Sequence, residues 1–107
     1  MSETLGLIQT LAKERKVRIS AHGYTRLAKR GILFSDVMSG VTGAELLEDY
    51  PAYHIGPAVL VLQTDPSGRA LHVVWGIEAG TDQPAVLITA YVPDPAEWSD
   101  DLRSRRP

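Results

Sequence analysis

The sequence contains no cysteine, which excludes disulfide bonds, thiolate metal sites and thiol redox chemistry. No apolar run approaches the roughly 20 residues that span a bilayer, and Met1-Ser2-Glu3-Thr4 lacks the basic segment that opens a secretory signal. We therefore expect a cytoplasmic protein with no membrane partner. A length of 107 residues predicts a single domain over residues 1–107. A chain of this length buries enough surface for one hydrophobic core that is stable without disulfides or bound metal.

Positive charge is missing from a third of the chain. No lysine or arginine occurs between Gly31 and Ser67, where five acidic residues lie. The preceding segment, Lys13 to Arg30, instead holds seven lysines and arginines against one acid, Glu14. A formal net charge of −2 thus hides a basic region that is suited to a phosphate backbone. A solvated helix face is the ordinary alternative for such a charge run.

Several site classes are also missing. The three histidines are spread over the chain without His-x3-His spacing, so we expect no metal. The sequence has neither a glycine-rich phosphate loop followed by Lys-Ser/Thr nor a Gly-x-Ser-x-Gly elbow, and we expect no cofactor.

The pattern of apolar residues changes from a helical to a strand-like period once. Residues 1–16 predict a first helix capped by Ser2 or Thr4 and ending near Arg15, and Val17–Ile19 is predicted as an extended link. A second helix begins after Ser20 and ends at Gly31, and a third opens at Ser35-Asp36. Four strands follow, at Leu46–Tyr50, Ala58–Thr64, Ala70–Glu78 and Ala85–Val92, with a type I turn at Asp65-Pro66-Ser67-Gly68. This order predicts an α+β domain, with helices on one face of a four-stranded antiparallel sheet over residues 17–92 and a polar tail at 93–107.

Alternation in the last two strands separates core residues from candidate site residues. In the third strand, one side holds an apolar set that we assign to the core: Leu71, Val73, Trp75 and Ile77. In the fourth strand, the more uniform apolar set is Val86, Ile88, Ala90 and Val92, which leaves Leu87 on the other side. The non-core face then brings together His72, Thr89 and Tyr91.

On the second helix, His22, Arg26 and Lys29 share one face at about 100° per residue, with Arg30 beside them. Together with the non-core residues of the sheet, this helix carries a resemblance to a known family. The ordered set of residues, spanning about 17–103, resembles the DUF4258 family, a domain of unknown function: His22-x3-Arg26-x3-Arg30-Gly31-Ile32, Asp36-Val37, Glu45 to Pro51, Leu71-His72-Val73-Val74, Ile88-Thr89-Ala90-Tyr91-x-Pro93-Asp94 and Trp98.

That family is similar in fold to the RelE, MqsR and barnase-like small ribonucleases, many of which are toxins of bacterial toxin-antitoxin pairs. The resemblance implies a metal-independent endoribonuclease, with RNA, free or ribosome-bound, as substrate and a cognate antitoxin as partner. In such an enzyme the 2′-hydroxyl of the substrate attacks the phosphate, so the protein supplies a base, an acid and cations. The catalytic candidates are His22 and His72 as acid and base, in an order the sequence does not decide, Arg26 for stabilising the phosphate, and Tyr91. Candidates for binding RNA phosphates are Lys29, Arg30 and Thr89.

Most of these candidates also have a structural alternative, in which His22 takes part only in the N-terminus of its helix. Arg26 pairs with Glu48 or Asp49 in that interpretation, and Arg30 meets the C-terminal carbonyls of its helix. His72 becomes a half-buried histidine bonded to the backbone, Tyr91 a packing residue, and Trp98 the side chain that clamps the tail to the body.

Two other functions remain open. The first is a non-catalytic module that holds RNA or a protein through the same basic face, and the second is a regulator that binds DNA. No recognisable helix-turn-helix arrangement supports the second.

Overall fold

The computed structural model describes residues 2–107, so Met1 of the predicted N-terminal segment lies outside the described residues. The helices are α1 (Glu3–Lys13), α2 (Ala21–Arg30) and α3 (Phe34–Gly40), followed by a 3-10 helix at Val41–Gly43. The strands are β1 (Val17–Ile19), β2 (Glu45–Tyr50), β3 (Ala58–Thr64), β4 (Ala70–Gly76) and β5 (Ala85–Tyr91). The four predicted strands are all present, and the ends of each lie within two residues of the prediction.

The sheet has five strands in the order β1-β5-β4-β3-β2. Strands β2 to β5 form an antiparallel meander, whereas β1 pairs in parallel with β5, with Val17 opposite Ala85. The prediction of a four-stranded, wholly antiparallel sheet is therefore wrong, because Val17–Ile19 is an edge strand and not a link. Three residues are too few to display a period of two, so only the pairing with the last strand reveals this element.

Local capping chemistry sets most helix ends. The Ser2 hydroxyl accepts from the Leu5 amide at 3.1 Å, and the Ser20 hydroxyl accepts from the Gly23 amide at 2.9 Å, as N-cap residues do. Gly31 ends α2 in the left-handed conformation, with φ 66°. Helix α1 ends at Lys13, two residues earlier than predicted, because Arg15 has left the helix and adopts φ 59°.

One face of the sheet packs against the helices. This core contains the predicted side of β4 together with apolar residues of α1, α2 and α3: Leu71, Val73, Trp75, Ile77, Ile8, Leu11, Leu27 and Val37. Its buried polar atoms are paired, since the Trp75 indole donates to Gln63 Oε1 at 2.9 Å and Gln63 Nε2 donates to the Val37 carbonyl at 2.8 Å. The prediction for β4 is confirmed.

The prediction for β5 is wrong at Val92, which lies beyond the strand and is 48% exposed, and from Val86 to Ile88, where the strand contains a bulge. Val74 pairs with Thr89 but Trp75 pairs with Leu87, so Ile88 is an extra residue and the alternation reverses there. Leu87 consequently lies in the helix-side core, while Val86 and Ile88 form a second apolar cluster with Ala58. Thr89 and Tyr91, which follow the bulge, lie on the same face as Val74 and His72, as predicted.

The bulge also positions α2 beside β5. Ser20 donates from its amide to the Leu87 carbonyl and from its hydroxyl to the Ile88 carbonyl, at 3.0 and 3.3 Å. A Cβ on Gly23 would lie only 2.7 Å from the Ile88 carbonyl oxygen, so the close approach of this helix to the strand requires glycine. Because β5 fixes α2 in this way, the exposed side of α2 has a defined place beside the face of the sheet that the helices leave open.

Candidate nucleic-acid interface

The exposed side of α2 forms a hollow of about 330 Å³, which is lined by the predicted helix residues and Thr25: His22, Thr25, Arg26, Lys29 and Arg30. The spacing of three and four residues puts these side chains on one side of the helix. Leu27, on the inner side, is 4% exposed and anchors the helix in the core. The hollow is therefore a surface feature of a helix whose inner side is buried in the core.

Within residues 2–107, no carboxylate lies within 4.0 Å of the side-chain nitrogens of Arg26, Lys29 or Arg30. The structural alternative for Arg26, an ion pair with Glu48 or Asp49, is wrong, because Glu48 pairs with Arg105 instead. Three cations without an internal counter-charge create a positive potential that an anionic ligand can use.

Arg30 connects this helix to the sheet. Its Nη1 donates to the Ala90 carbonyl at 2.9 Å and to Thr89 Oγ1 at 3.3 Å. Its Cζ lies 6.0 Å from the centroid of the Tyr91 ring. The guanidinium is thus bonded to β5, not to the carbonyls at the end of its own helix as the structural alternative expects, and it lies beside both Thr89 and Tyr91.

His72 is buried, with no exposed surface. Its Nε2 lies 2.8 Å from the Leu102 carbonyl and must donate to it, so in the neutral ring Nδ1 accepts from the Tyr91 hydroxyl at 3.2 Å. Burial lowers the pKa of His72, since desolvation penalises the charged ring, and raises the pKa of Tyr91. The structure therefore holds a neutral imidazole behind the Tyr91 phenol.

Residues 93–107, which we call the C-terminal tail, cover His72. Trp98 is 3% exposed, and its ring meets the His72 ring edge-on with centroids 4.4 Å apart. The backbone of Trp98 pairs with that of Arg105, whose guanidinium carbon lies 4.7 Å from the centroid of the Trp98 ring. The interpretation of Trp98 as the clamp of the tail is confirmed.

Ion pairs fasten the tail to β2. Arg105 donates to both carboxylate oxygens of Glu48, each at 3.1 Å, and Arg103 donates to both oxygens of Glu45 at 2.8 and 3.0 Å. The Tyr50 hydroxyl also donates to Glu48. Hydrogen bonds from Arg105, and then from Tyr50, lower the pKa of Glu48, which is therefore ionised at neutral pH.

Sequence reasoning did not include Glu48, Tyr50 or Arg105 in the site. Glu48 and Tyr50 are separated by two positions on one strand, so a shared face was a signal in the sequence. Nothing in the sequence indicated that Arg105 would return to them. Tyr91, Trp98 and Arg105 also line a surface pocket of about 390 Å³ beside this cluster.

The two histidines of the predicted mechanism lie apart. His22 precedes Gly23, which abuts Leu87 and Ile88, whereas His72 pairs with Tyr91. At about 3.3 Å per strand residue, this places them roughly 10 Å apart along the strand direction. The structure thus brings together Arg30, Thr89, Tyr91 and His72, with His22, Arg26 and Lys29 extending from them along α2.

The DUF4258 family model, a domain of unknown function, matches residues 19–92. The chain belongs to the DUF4258 family. No curated protein and no solved structure matches the chain. The DUF4258 segment contains all seven predicted site residues, whereas Trp98, Leu102 and the tail arginines lie beyond it.

Among residues 2–107 of this DUF4258 protein, no group of three or more histidines and carboxylates is arranged to hold a metal ion. The longest helix in that range, α1, has 11 residues, about half of the roughly 20 that a membrane-spanning helix needs, and none qualifies as a candidate membrane span. What the arrangement offers chemically is a phenol bonded to an imidazole, next to guanidinium and ammonium groups.

Proposed function

We propose that this protein is a metal-independent endoribonuclease of the RelE and barnase-like type, acting where Arg30 of α2 contacts Thr89 and Tyr91 of β5. The contact of Arg30 with Tyr91 and Thr89 is the main support for this proposal, together with Arg26 and Lys29, which like Arg30 have no carboxylate partner within residues 2–107. A phosphate beside Arg30 would lie next to a phenol that is bonded to a buried base.

The chemistry follows from these neighbours. The 2′-hydroxyl of RNA gives its proton to the Tyr91 oxygen while the phenolic proton passes to Nδ1 of His72. The 2′-oxygen forms a bond to phosphorus and the bond to the 5′-oxygen breaks, which leaves a 2′,3′-cyclic phosphate. Arg30 stabilises the charge that develops on the phosphoryl oxygens. His72 therefore acts through Tyr91 as a positioning residue.

Protonation of the leaving 5′-oxygen requires an acid, and His22 is the exposed imidazole in the hollow that contains Arg30. Arg26 and Lys29 hold the neighbouring phosphates. An antitoxin partner would inhibit the enzyme by covering this basic face with carboxylates, and ribosome-bound mRNA is a substrate of the same chemistry.

A second candidate function is a module that binds RNA or a protein through the same face without cleaving RNA. The complete burial of His72 under Leu102 favours it, because both ring nitrogens already have partners. A histidine of this kind is also what a purely structural role requires.

Incubation of purified protein with end-labelled RNA in EDTA, with and without ribosomes, separates the two functions. We expect cleavage that leaves 2′,3′-cyclic ends, with Tyr91→Phe and His22→Ala each slowing it by about 100-fold. Tyr53→Phe changes a tyrosine that packs against Ala58, Val86 and Ile88 and not against Arg30; it serves as the matched control and should leave the rate unchanged. RNA that is bound but intact under every condition would favour the binding module.

A further inference from the structure

An apolar groove lies on the side of α2 opposite the basic face. Tyr24 is 69% exposed, Leu33 63% and Phe34 37%, which is unusual for three large apolar side chains so close together. They line a hollow of about 220 Å³ whose remaining walls are also apolar: Ile19, Leu27, Ala28 and Ile32. We call this hollow the Tyr24 groove.

The Tyr24 groove continues into a basic end. Phe34 also lines a second hollow of about 510 Å³, together with Met38, Lys13 and Arg15. Within residues 2–107, neither Lys13 nor Arg15 has a carboxylate within 4.0 Å, whereas the neighbouring Lys16 pairs with Glu14. The surface therefore combines apolar pockets with unneutralised positive charge at one end.

Arg15 occupies a backbone position that favours glycine. Helices α1 and α2 end with the same two hydrogen bonds: Lys16 N to Leu11 O and Arg15 N to Ala12 O in one, Ile32 N to Leu27 O and Gly31 N to Ala28 O in the other. In α2 the left-handed residue is Gly31, and in α1 it is Arg15, at φ 59°. A side chain at such a position strains the backbone, so Arg15 lowers the stability of the fold relative to glycine.

We propose that the Tyr24 groove and its basic end bind an acidic amphipathic helix from a partner protein. Apolar side chains at helical spacing would enter the pockets between Tyr24, Leu33 and Phe34, and carboxylates on the flank of that helix would pair with Lys13 and Arg15. Tyr24 and Arg26 point about 160° apart around α2. The partner helix and RNA therefore occupy opposite sides of α2, and this proposal holds whether or not the protein cleaves RNA.

A displayed library of random peptides about 16 residues long, enough for about four helical turns, tests this on the full chain. We expect the selected peptides to carry Asp or Glu beside apolar residues spaced by three and four. Leu33→Ser should weaken their binding by at least about tenfold. Arg26→Ala, on the opposite side of α2, is the matched control and should leave binding unchanged.

Arg15→Gly separates recognition from folding. This change should raise the unfolding temperature by about 2–4 °C, since it relieves the backbone, while weakening peptide binding about threefold or more. A stable variant that binds as well as the wild type would overturn the role of Arg15. Peptides without the acidic and apolar motif, or motif peptides that bind Leu33→Ser equally well, would overturn the whole proposal. So would concentration-dependent dimerisation that Leu33→Ser abolishes, because a second copy would then fill the groove.

Discussion

Helix α2 and the C-terminal tail each carry three cations within a few residues, yet the structure treats the two sets differently. In the tail, each arginine is paired with a carboxylate: Arg103 with Glu45, Arg105 with Glu48 and Arg106 with Asp100. On α2, Arg26, Lys29 and Arg30 have no carboxylate partner within residues 2–107. Two segments with similar local charge thus have different roles. The arginines of the tail form ion pairs that hold the tail in place, whereas the cations of α2 leave a positively charged surface.

The acidic segment of the chain accounts for the difference. Glu45 and Glu48 lie on β2, the edge strand at the opposite end of the sheet from β1 and at a distance from α2. The tail crosses the open face towards that edge, so it reaches these carboxylates and α2 does not. The acidic residues of β2 are therefore neutralised by arginines of the C-terminal tail, which is far from them in the sequence.

Removal of the tail clamp is expected to have the largest effect. Trp98→Ala should lower the free energy of unfolding by about 3 kcal/mol, because a buried indole is lost from its contact with His72. Urea denaturation measures this, and trypsin should cut the tail arginines faster in the variant. Lys29→Ala, an exposed position on α2, is the control and should change neither. An unaltered midpoint and unaltered cleavage would mean that the tail is not held by Trp98.

The available charge of α2 is expected to dominate RNA affinity. The double variant Arg26→Ala/Lys29→Ala should bind single-stranded RNA about tenfold more weakly, with a dependence of log K on log salt that is shallower by about 1.4. Fluorescence anisotropy across a salt series measures both quantities. Arg103→Ala/Arg106→Ala removes the same formal charge from the tail and should have much less effect. Equal losses in the two variants would contradict the distinction between the regions.

The ion pair between Arg105 and Glu48 is expected to contribute less to stability than Trp98 does. Arg105→Ala should reduce the free energy of unfolding by less than about 1 kcal/mol, since the guanidinium is largely exposed and water competes for Glu48. The loss should shrink in high salt. Arg105→Lys keeps the charge but not the bidentate geometry, so its free energy of unfolding should lie between those of the wild type and of Arg105→Ala. A loss that is the same at both salt concentrations would indicate stacking on Trp98 instead.

The smallest effect concerns pH. Burial lowers the folded pKa of His72, so the unfolded state binds the additional proton first as the pH falls. The contribution of His72 to the free energy of unfolding should be fully present above about pH 6.5, the ordinary pKa of histidine. It should decrease as the pH falls from there towards the lower pKa that His72 has in the folded protein. Unfolding midpoints at several pH values measure the slope. His72→Gln should flatten it, and the exposed His22→Gln should not; the reverse pattern would mean that the tail leaves His72 open to water.

Much of the fold was predictable because its determinants are local. The Ser20 cap, the Gly31 end of α2 and the Asp65 turn depend on hydrogen bonds within a few residues, and all three are present. The Asp65 carboxylate, for example, accepts from the Ser67 and Arg69 amides at 2.9 Å each. The β1 pairing and the Ile88 bulge were missed, because each depends on a neighbouring element that the local pattern does not contain.

The candidate site was predictable to a smaller degree. Alternation placed His72, Thr89 and Tyr91 together, and the wheel of α2 placed His22, Arg26 and Lys29 together. The contact between these two groups is made by Arg30, which the sequence offered as a phosphate-binding residue or as a partner of its own helix end, and which bonds to Ala90 on β5. The tail was predicted to be clamped by Trp98, but the sequence did not indicate that Trp98 and Leu102 would bury His72.

The sequence by itself determined the helices, the meander, the core face of β4 and the basic strip on α2, since each is encoded by residues near one another in the chain. The tertiary structure decided which charges are neutralised, which histidine is exposed and which face of α2 remains apolar and uncovered. The physical reason is that a side chain's charge and accessibility depend on what packs against it. In this protein those partners come from the far end of the chain.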